Sequence, residues 1–560
     1  MRVPGATPPA QQLRRLRDIT TVLAKYGFPD VVARLRLERT LALGRRLRRP
    51  WGRRAEPAGS KAQRLRQALE ELGPTFIKFG QALSTRPDVL PADLVAELSR
   101  LQDTVPPMTP GAAEATIEAE LGLPLAQVFA RFDSTPVAAA SIAQVHRAHL
   151  LGGGEVAVKV RRPGIGATID LDLSILGLLA RLAERYLPDA DLYQPAMLVA
   201  EFARAIRREQ DLSLEGRSIE RFARNFAGDP TLRLPHVHWP QTTTGVLTME
   251  YMDGTKVLDV LSDPGTFDAR VIAARGGEIL LKQVLRDGLF HADPHPANIF
   301  VMPGNVICLL DFGSVGRIDR PLRDALANLL DAVAREDPER LAAAILSIGR
   351  PLHTLDAAEF RRDLAEAIDG YVGIALRDLS IASLLQDALA VMRRHRLQFP
   401  ADLMLLVRAF VTIEGVGRRL DPTFNMIEHA RPVVAGILRD RLAPSAVASR
   451  VADIGREVAG AMQTLPRDLM EIVGKARDDR LQIQFVHRNL EHFVQEMDRS
   501  SNRLSFAIVI AALIIGSSFV LQRGAGPQLF GLPAIGLVGF IAAALLGLWL
   551  AVGILRSGRL

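Results

Sequence analysis

Cysteine is all but missing from this chain of 560 residues, which has only Cys308. It sits inside the apolar run Val306-Ile-Cys-Leu-Leu310, so a disulfide framework is excluded and a reducing, cytosol-facing setting is expected. The thiol itself reads as a small buried hydrophobe on a strand. A secretory pattern is missing too, because Arg14, Arg15 and Arg17 are followed by no sustained apolar core. There is no internal repeat and no long low-complexity tract. No flavin fingerprint and no clustered His/carboxylate iron site occurs, which argues against hydroxylation chemistry. A net positive charge is lacking over most of the length. The formal net charge is +7, yet residues 1–60 hold 14 Lys/Arg against 4 Asp/Glu, and the other 500 hold 55 against 58. The whole positive excess therefore lies in the N-terminal segment, where it suits either nucleic acid or an anionic membrane face.

The far end of the chain decides between those two. Leu504–Leu521 runs for 18 residues and Leu529–Leu555 for 27, both without a charge. A bilayer core needs about 20 helical residues, so both runs are long enough to cross. The short Gln522–Gln528 stretch between them allows only a tight turn. Arg499, Arg503, Arg556 and Arg559 flank the outer ends, against Arg523 alone in the turn. The positive-inside rule then puts the body of the protein on the cytoplasmic side of the membrane. The basic N-terminal segment is accordingly expected on anionic lipid, with no nucleic acid partner.

Local patterns lay out the rest. Residues 10–50 read as basic amphipathic helices, and Pro50–Ser60 as a polar linker. Helices are expected at 61–83, about 91–102 and about 110–122. Strand-like runs follow at 128–132, 143–149 and 155–160, with Gly152-Gly-Gly-Glu155 as a hairpin signal. Helices resume at 165–185 and 195–226, a strand at 246–251, and a mostly helical remainder from about 268, including a charged connector over 450–500.

Three motifs in order carry chemistry. Val156-Ala-Val-Lys159 places Ala157 and Lys159 on one strand face, leaving room for adenine and an amine for phosphates. His291-Ala-Asp-Pro-His-Pro-Ala-Asn298 holds Asp293 and Asn298 at the Asp-x-x-x-x-Asn spacing of a kinase catalytic loop, and Leu309-Leu-Asp-Phe-Gly313 adds Asp311. Asp293 is the candidate base, and Asn298 with Asp311 the candidate magnesium ligands. Thr248-Met-Glu-Tyr-Met-Asp-Gly254 reads as the hinge, with Met249 behind the adenine and backbone groups of Glu250 and Met252 on its edge. Glu215, in a helical run, is the candidate partner of Lys159. Taken alone, a lysine ending a strand or a glutamate on a helix is usually just solvated; their order raises both.

The departures are as informative. Ahead of the lysine strand, glycines that would let backbone N–H groups close on phosphates are replaced by Ala138-Ala-Ala-Ser141, which stiffens the loop. Ala138, Ala139, Ala140 and Ser141 remain candidate phosphate neighbours. Ala292 stands where an Arg would read an activation-loop phosphate, and His295 where a Lys would steady the transferred phosphate. No Ala-Pro-Glu motif follows Gly313, so a peptide docking platform is not expected.

Together these residues resemble the UbiB/AarF (ABC1-type) family of atypical protein-kinase-like proteins over about 15–430, with the membrane tail of its bacterial members. The signature is Lys78-Phe-Gly80-Gln81 in a helix ahead of the core, with the alanine-rich loop, Glu209-Gln-Asp211 and His291–Asn298. The resemblance implies that the Lys78–Gln81 helix packs over the peptide side of the cleft, with Lys78 and Gln81 near the nucleotide and Glu209 and Asp211 tethering them. It also implies a role in ubiquinone biosynthesis, an adenine nucleotide (ATP or ADP) with Mg²⁺ as cofactors, and lipid intermediates or quinone-biosynthesis proteins as partners.

The expected fold is α+β: a bilobal, atypical kinase-like body with a β-rich N-lobe and a helical C-lobe. The expected divisions are a basic segment (1–60), a helical extension (61–125), an N-lobe with a helical insert (126–253), a C-lobe (254–450), a connector (451–503) and two transmembrane helices (504–555). The favoured function is a membrane-anchored, Mg-dependent ATPase or small-molecule kinase. The alternatives are a nucleotide-binding scaffold without turnover and a protein kinase acting in trans, which the missing docking platform disfavours. A homodimer is left open.

Overall fold

A computed structural model of the chain describes residues 9–34, 59–86, 90–101, 105–186, 194–335, 337–351, 356–369, 400–442, 490–523, 527–529 and 532–556, with a few more between 387 and 398. The chain divides into two units, Met1–Val447 and Ala448–Leu560. The expected connector up to residue 489 lies outside the described residues.

Alternating apolar residues build the N-lobe sheet. Strands β1 (Phe129–Phe132), β2 (Ala138–Ala139), β3 (Ala143–Leu150), β4 (Glu155–Arg161) and, after two intervening strand residues at Leu232–Arg233 (β5), β6 (Val246–Glu250) lie in the order β1-β3-β4-β6, with β2 on β3. All pairs are antiparallel, and the hairpin turns at the expected glycines. Along β4 the period of two sends Val156, Val158 and Val160 to one face. There they are buried against Val246 and against Ile117 of a helix at Ala112–Leu121. That helix was expected in the extension; its buried Ile117 makes it part of the N-lobe. Ala157 and Lys159 face the other way, toward the cleft.

The helices around this sheet are α1 (Pro9–Lys25), α2 (Pro29–Arg34), α3 (Lys61–Leu72), α4 (Pro74–Ser84), α5 (Ala92–Leu98), α6 (Ala112–Leu121), α7 (Ile165–Tyr186), α8 (Pro195–Glu209) and α9 (Leu212–Asn225). Gly73, at φ +99°, ends α3 and starts α4 in one step, a conformation that favours glycine. Pro74 then sits at the first position of α4, where its missing N–H costs nothing. One core joins the extension to the insert: Leu16 and Ile19 of α1, Leu69 and Leu72 of α3, Phe76 and Ile77 of α4, and Ile169 and Leu173 of α7. The apolar face of α1 is thus spent inside the protein, not on lipid. Arg15 reinforces the joint by donating to both oxygens of the buried Asp172 (2.7 and 3.1 Å) and to the Leu72 carbonyl (2.7 Å).

The C-lobe starts with β7 (Thr255–Lys256) and α10 (Ala269–Leu281), which passes into a π-helical turn over Lys282–Asp287. Then come β8 (Leu289–His291), β9 (Ile299–Met302), β10 (Val306–Leu309) and β11 (Val315–Arg317). A four-stranded sheet runs β5-β10-β9-β7, and β8 pairs with β11. Helices α11 (Arg320–Ala334), α12 (Pro338–Ile348), α13 (Ala357–Asp369), α14 (Ala401–Leu420) and α15 (Met426–Leu442) complete the body, whose core runs from Leu212 and Phe222 through Phe290, Phe312 and Phe360 to Val434.

In the second unit, α16 (Leu490–Arg523) and α17 (Ala534–Arg556) pack antiparallel, with Phe506 edge-on to Trp549 at 6.0 Å. Small residues set the approach. A Cβ on Gly536 would sit 2.8 Å from Leu521 Cγ, and one on Gly539 would strike the Ser517 hydroxyl. Two helical stretches, Ser501–Gln522 and Ala534–Ala551, are long and apolar enough to cross a membrane. The second helix starts later than the apolar run does, because Leu532–Pro533 pairs with Gln528–Leu529 in the turn.

Candidate active site

Lys159 lies at the centre of the site. Its Nζ is 2.9 Å from each carboxylate oxygen of Glu215 and 2.9 Å from Oδ1 of Asp311. Strand β4 brings the lysine, helix α9 the glutamate, and the end of β10 the aspartate. Asp311 takes φ +60°, a left-handed conformation rare for a residue with a side chain. Its Oδ1 also accepts the Gly313 N–H at 3.3 Å, and its side chain is half exposed to the cleft. Phe312 is buried, 4.9 Å from Phe222 of α9 and 5.0 Å from His291, so one aromatic contact chain ties the glutamate helix to the catalytic loop.

Two acids share one ammonium here, and burial decides between them. The Lys159 charge holds Asp311 well below the usual carboxylate range, against the partial desolvation of this half-exposed side chain, with Lys78 adding to the pull. Burial pushes Glu215 up to about 7, against Lys159. Burial also works against the Lys159 charge, but Asp311 and Glu215 outweigh it and hold the amine above its ordinary value.

The catalytic loop is fixed from beneath. His291 is buried, which lowers its pKa, and its Nδ1 accepts the Asp293 N–H (3.2 Å) while Nε2 faces the Leu310 carbonyl (3.2 Å). A neutral ring with its proton on Nε2 satisfies both. Gln283, on the π-helical turn, accepts the His291 N–H at 3.1 Å. The Asn298 carbonyl accepts the Leu310 N–H at 2.9 Å, so the loop end and the strand before Asp311 move together.

The Lys78–Gln81 helix, α4, reaches the same place. Lys78 Nζ is 2.7 Å from Glu209 Oε1, and Glu209 lies against Gly313. Gln81 donates to the Leu101 carbonyl at 3.0 Å. Gly80 permits the packing: a Cβ there would lie 2.9 Å from Leu69 Cδ1 and closer still to Leu101 Cδ1. The expected continuous helix over 195–226 is broken at Gln210–Asp211. Asp211 caps α9 through the Ser213 N–H (3.1 Å) and hydroxyl (2.6 Å), and this turn brings Glu209 to Lys78 and Glu215 to Lys159 with both beside Gly313.

Comparisons with known proteins give the family. Residues 100–345 match the family model of the ABC1 atypical kinase-like domain, 364–425 the UbiB helical domain, and 488–556 the ABC1/UbiB kinase-like C-terminal domain. A "Probable protein kinase UbiB" of Pseudomonas putida (strain GB-1) is 36% identical over 92% of this chain and 94% of its own. One of Pseudomonas fluorescens (strain SBW25) is 38% identical over 82% and 87%. A Clostridium pasteurianum protein named for the hydrogenase 1 5' region is 33% identical over 98% and 99%. The chain belongs to the ABC1/UbiB family of atypical kinase-like proteins. Among solved structures, the Rv3197–erythromycin complex of Mycobacterium tuberculosis aligns with a TM-score of 0.45 at 22% identity, covering 64% of this chain and 92% of that one.

Other expected residues of this UbiB-family site land as follows. Glu250 ends β6 opposite Val156 of β4 and Met252 lies two residues on, with Met249 opposite Ala157; the Glu250 N–H already donates to the His236 carbonyl (2.8 Å), and its carboxylate meets Arg233 at 2.6 Å. Ala138 and Ala139 form a strand, and the Ala140 N–H donates to the Ala143 carbonyl at 2.9 Å. Ser141 is fully buried, with no partner for its hydroxyl, so it does not open into the cleft in this conformation. His295 caps the turn Pro296–Asn298 by accepting the Ala297 N–H at 3.2 Å. The cation beside Asp293 comes from elsewhere. Arg408 of α14 places Nη2 2.6 Å from Asp293 Oδ1. No motif signalled Arg408, which a helical repeat alone marks as an exposed position. Finally, β11 zips onto β8 directly after Gly313, with Ala292 donating to the Ser314 carbonyl at 3.1 Å, which uses up the chain that would form an activation segment.

Proposed function

We propose that this chain is a membrane-anchored, Mg-dependent ATPase or small-molecule kinase that supports ubiquinone biosynthesis. The observation that carries the reading is the Lys159–Glu215–Asp311 cluster, with all three contacts at 2.9 Å. This is the arrangement that positions and neutralises nucleotide phosphates in kinase-like enzymes. The donor set suits magnesium, a hard cation that takes one or two carboxylates and keeps substrate phosphates as further ligands. Asp311 and Asn298 would hold it, and it would supply charge neutralisation on the phosphates. Lys159 would bind those phosphates, and Asp293 would orient or deprotonate the attacking hydroxyl or water. The UbiB designation of the relatives supports the link to ubiquinone.

Phosphate release from ATP should be measured with Mg²⁺ and anionic lipid, for the wild type and Asp311→Asn. A large loss in the variant is expected, and equal rates refute the enzyme. Anchoring is tested by cysteine accessibility. Arg499→Cys and Gln528→Cys would be probed on intact cells with an impermeant maleimide, and only the turn position should react.

A second reading is a nucleotide-binding scaffold without turnover. The engagement of Asp293 by Arg408 and the burial of Ser141 favour it. Full rescue of a quinone-deficient deletion strain by Asp293→Asn would establish it over the first.

A further inference from the structure

Arg161 ends the lysine strand and Arg162 follows it, and the two have different partners. Arg161 donates to the Gln210 carbonyl (3.0 Å), between Glu209 and Asp211. Arg162 turns to the alanine-rich loop. Its backbone N–H donates to the Ile142 carbonyl (2.8 Å), its Nε to the Ala140 carbonyl (2.9 Å) and its Nη2 to the Pro106 carbonyl (2.8 Å). A second stitch lies beside it, where the Met108 N–H donates to Gln144 Oε1 at 2.8 Å and Gln144 Nε2 meets His146 Nε2 at 2.9 Å. The tip residue, Ile142, is buried in the core that holds Phe76 and Ile77 of α4.

The loop is therefore held from three sides: the end of β4, the segment 106–108 that leads into the N-lobe, and the core beneath Lys78. Enclosed by these contacts is Ser141, which has no accessible surface and no hydrogen-bond partner for Oγ. A buried hydroxyl without a partner disfavours the conformation that buries it. The surrounding bonds must outweigh that cost, and the guanidinium supplies two of them.

We propose that Arg162 is a positioning residue, a latch that holds the alanine-rich loop shut over Ser141. Phosphate groups of a bound nucleotide are the ligand that the released Ser141 hydroxyl serves. The ligand half of this inference rests on the nucleotide reading above; the latch half does not. Because Ile142 at the loop tip shares a core with Phe76 and Ile77, displacement of the helix bearing Lys78 would loosen the same loop, coupling the two family motifs mechanically.

The latch is tested on the full chain in lipid nanodiscs, without nucleotide, by hydrogen exchange in wild type, Arg162→Gln and Arg162→Lys. Lysine keeps the charge, but its single ammonium cannot span two carbonyls, so it serves if the glutamine variant fails to fold. Amides of Ser141–Gln144 should exchange about tenfold faster in the variants, while those of Glu155–Arg161 stay unchanged, as for a local opening. Equal exchange over Ser141–Gln144 overturns the latch. The ligand half is tested with a fluorescent ATP analogue and Mg²⁺. Arg162→Gln should bind about fivefold more tightly, as expected when a withheld state becomes populated, and Ser141→Ala in that background should abolish the gain. Unchanged or weaker binding, or a gain that survives Ser141→Ala, overturns it. If the wild type and every variant bind no nucleotide, the ligand half falls together with the nucleotide reading, and the exchange data still decide the latch.

Discussion

Arg408 Nη2 lies 2.6 Å from Oδ1 of Asp293, although 115 residues separate the two in sequence. Both side chains are more than a third exposed, so the pair contributes only about 0–1 kcal/mol to stability. On the proposed ATPase reading its value lies in orienting Asp293. Arg408→Ala should melt within a few degrees of the wild type yet release phosphate about tenfold or more slowly, because a misplaced base costs rate rather than fold. An unchanged rate would show that Asp293 needs no cation from α14.

Gly80 should resist replacement even by alanine. Alanine gains about 1 kcal/mol of helix propensity over glycine, but overpacking a core costs about 1–3 kcal/mol, and the new Cβ would meet Leu69 and Leu101. A net loss is expected in thermal melts of Gly80→Ala. Combined with Leu101→Ala, the loss should be smaller than the sum of the two single losses, since one substitution makes room for the other. Simple additivity would count against the close approach.

The Arg15–Asp172 pair is a different case, because Asp172 is only 1% exposed. Removing one member of a buried pair costs about 3–5 kcal/mol; with Arg15 a quarter exposed, the lower end is expected for Arg15→Ala. Asp172→Asn should be milder, since the charge it leaves unpaired is that of Arg15, which keeps a quarter of its surface in water, and not a buried carboxylate. Melting temperatures check both, and equal losses would remove the charge argument.

Cys308 gives a pH signature. Burial on β10 pushes its thiol up to about 12. The unfolded chain releases this proton near the ordinary value of 9.0 and the folded chain does not. The contribution is therefore fully present below pH 9 and is lost as pH rises toward 12, at up to about 1.4 kcal/mol per pH unit. A thiol reagent at pH 8 should label Cys308 only as the protein unfolds. Rapid labelling of the native chain would contradict the burial.

Much of this site was legible locally. Lys159, Asp293 and Asp311 stand out because strand alternation and short motif spacings fix them, and the β3–β4 hairpin follows from Gly152–Gly154. The partner choices were not legible in the same way. The break at Gln210–Asp211 interrupts a helical pattern that periodicity alone continues, and it takes the Asp211 cap to end it. Helix α6 joins the sheet because Ile117 meets Val156 and Val158, contacts that no sequence window spans. The face of α1 is amphipathic in either setting; whether lipid or Leu69 covers it is decided by tertiary contacts.

That last choice has a consequence during synthesis. Arg15 leaves the ribosome 157 residues before Asp172. At about 5–20 residues per second, the wait lasts roughly 8–30 s. Throughout that interval Leu16 and Ile19 have no Ile169 or Leu173 to bury them, and until Leu69–Ile77 follow them out the helix is a free basic amphipath. The nascent chain can therefore dwell on a lipid surface or a chaperone through the same face that the finished protein hides.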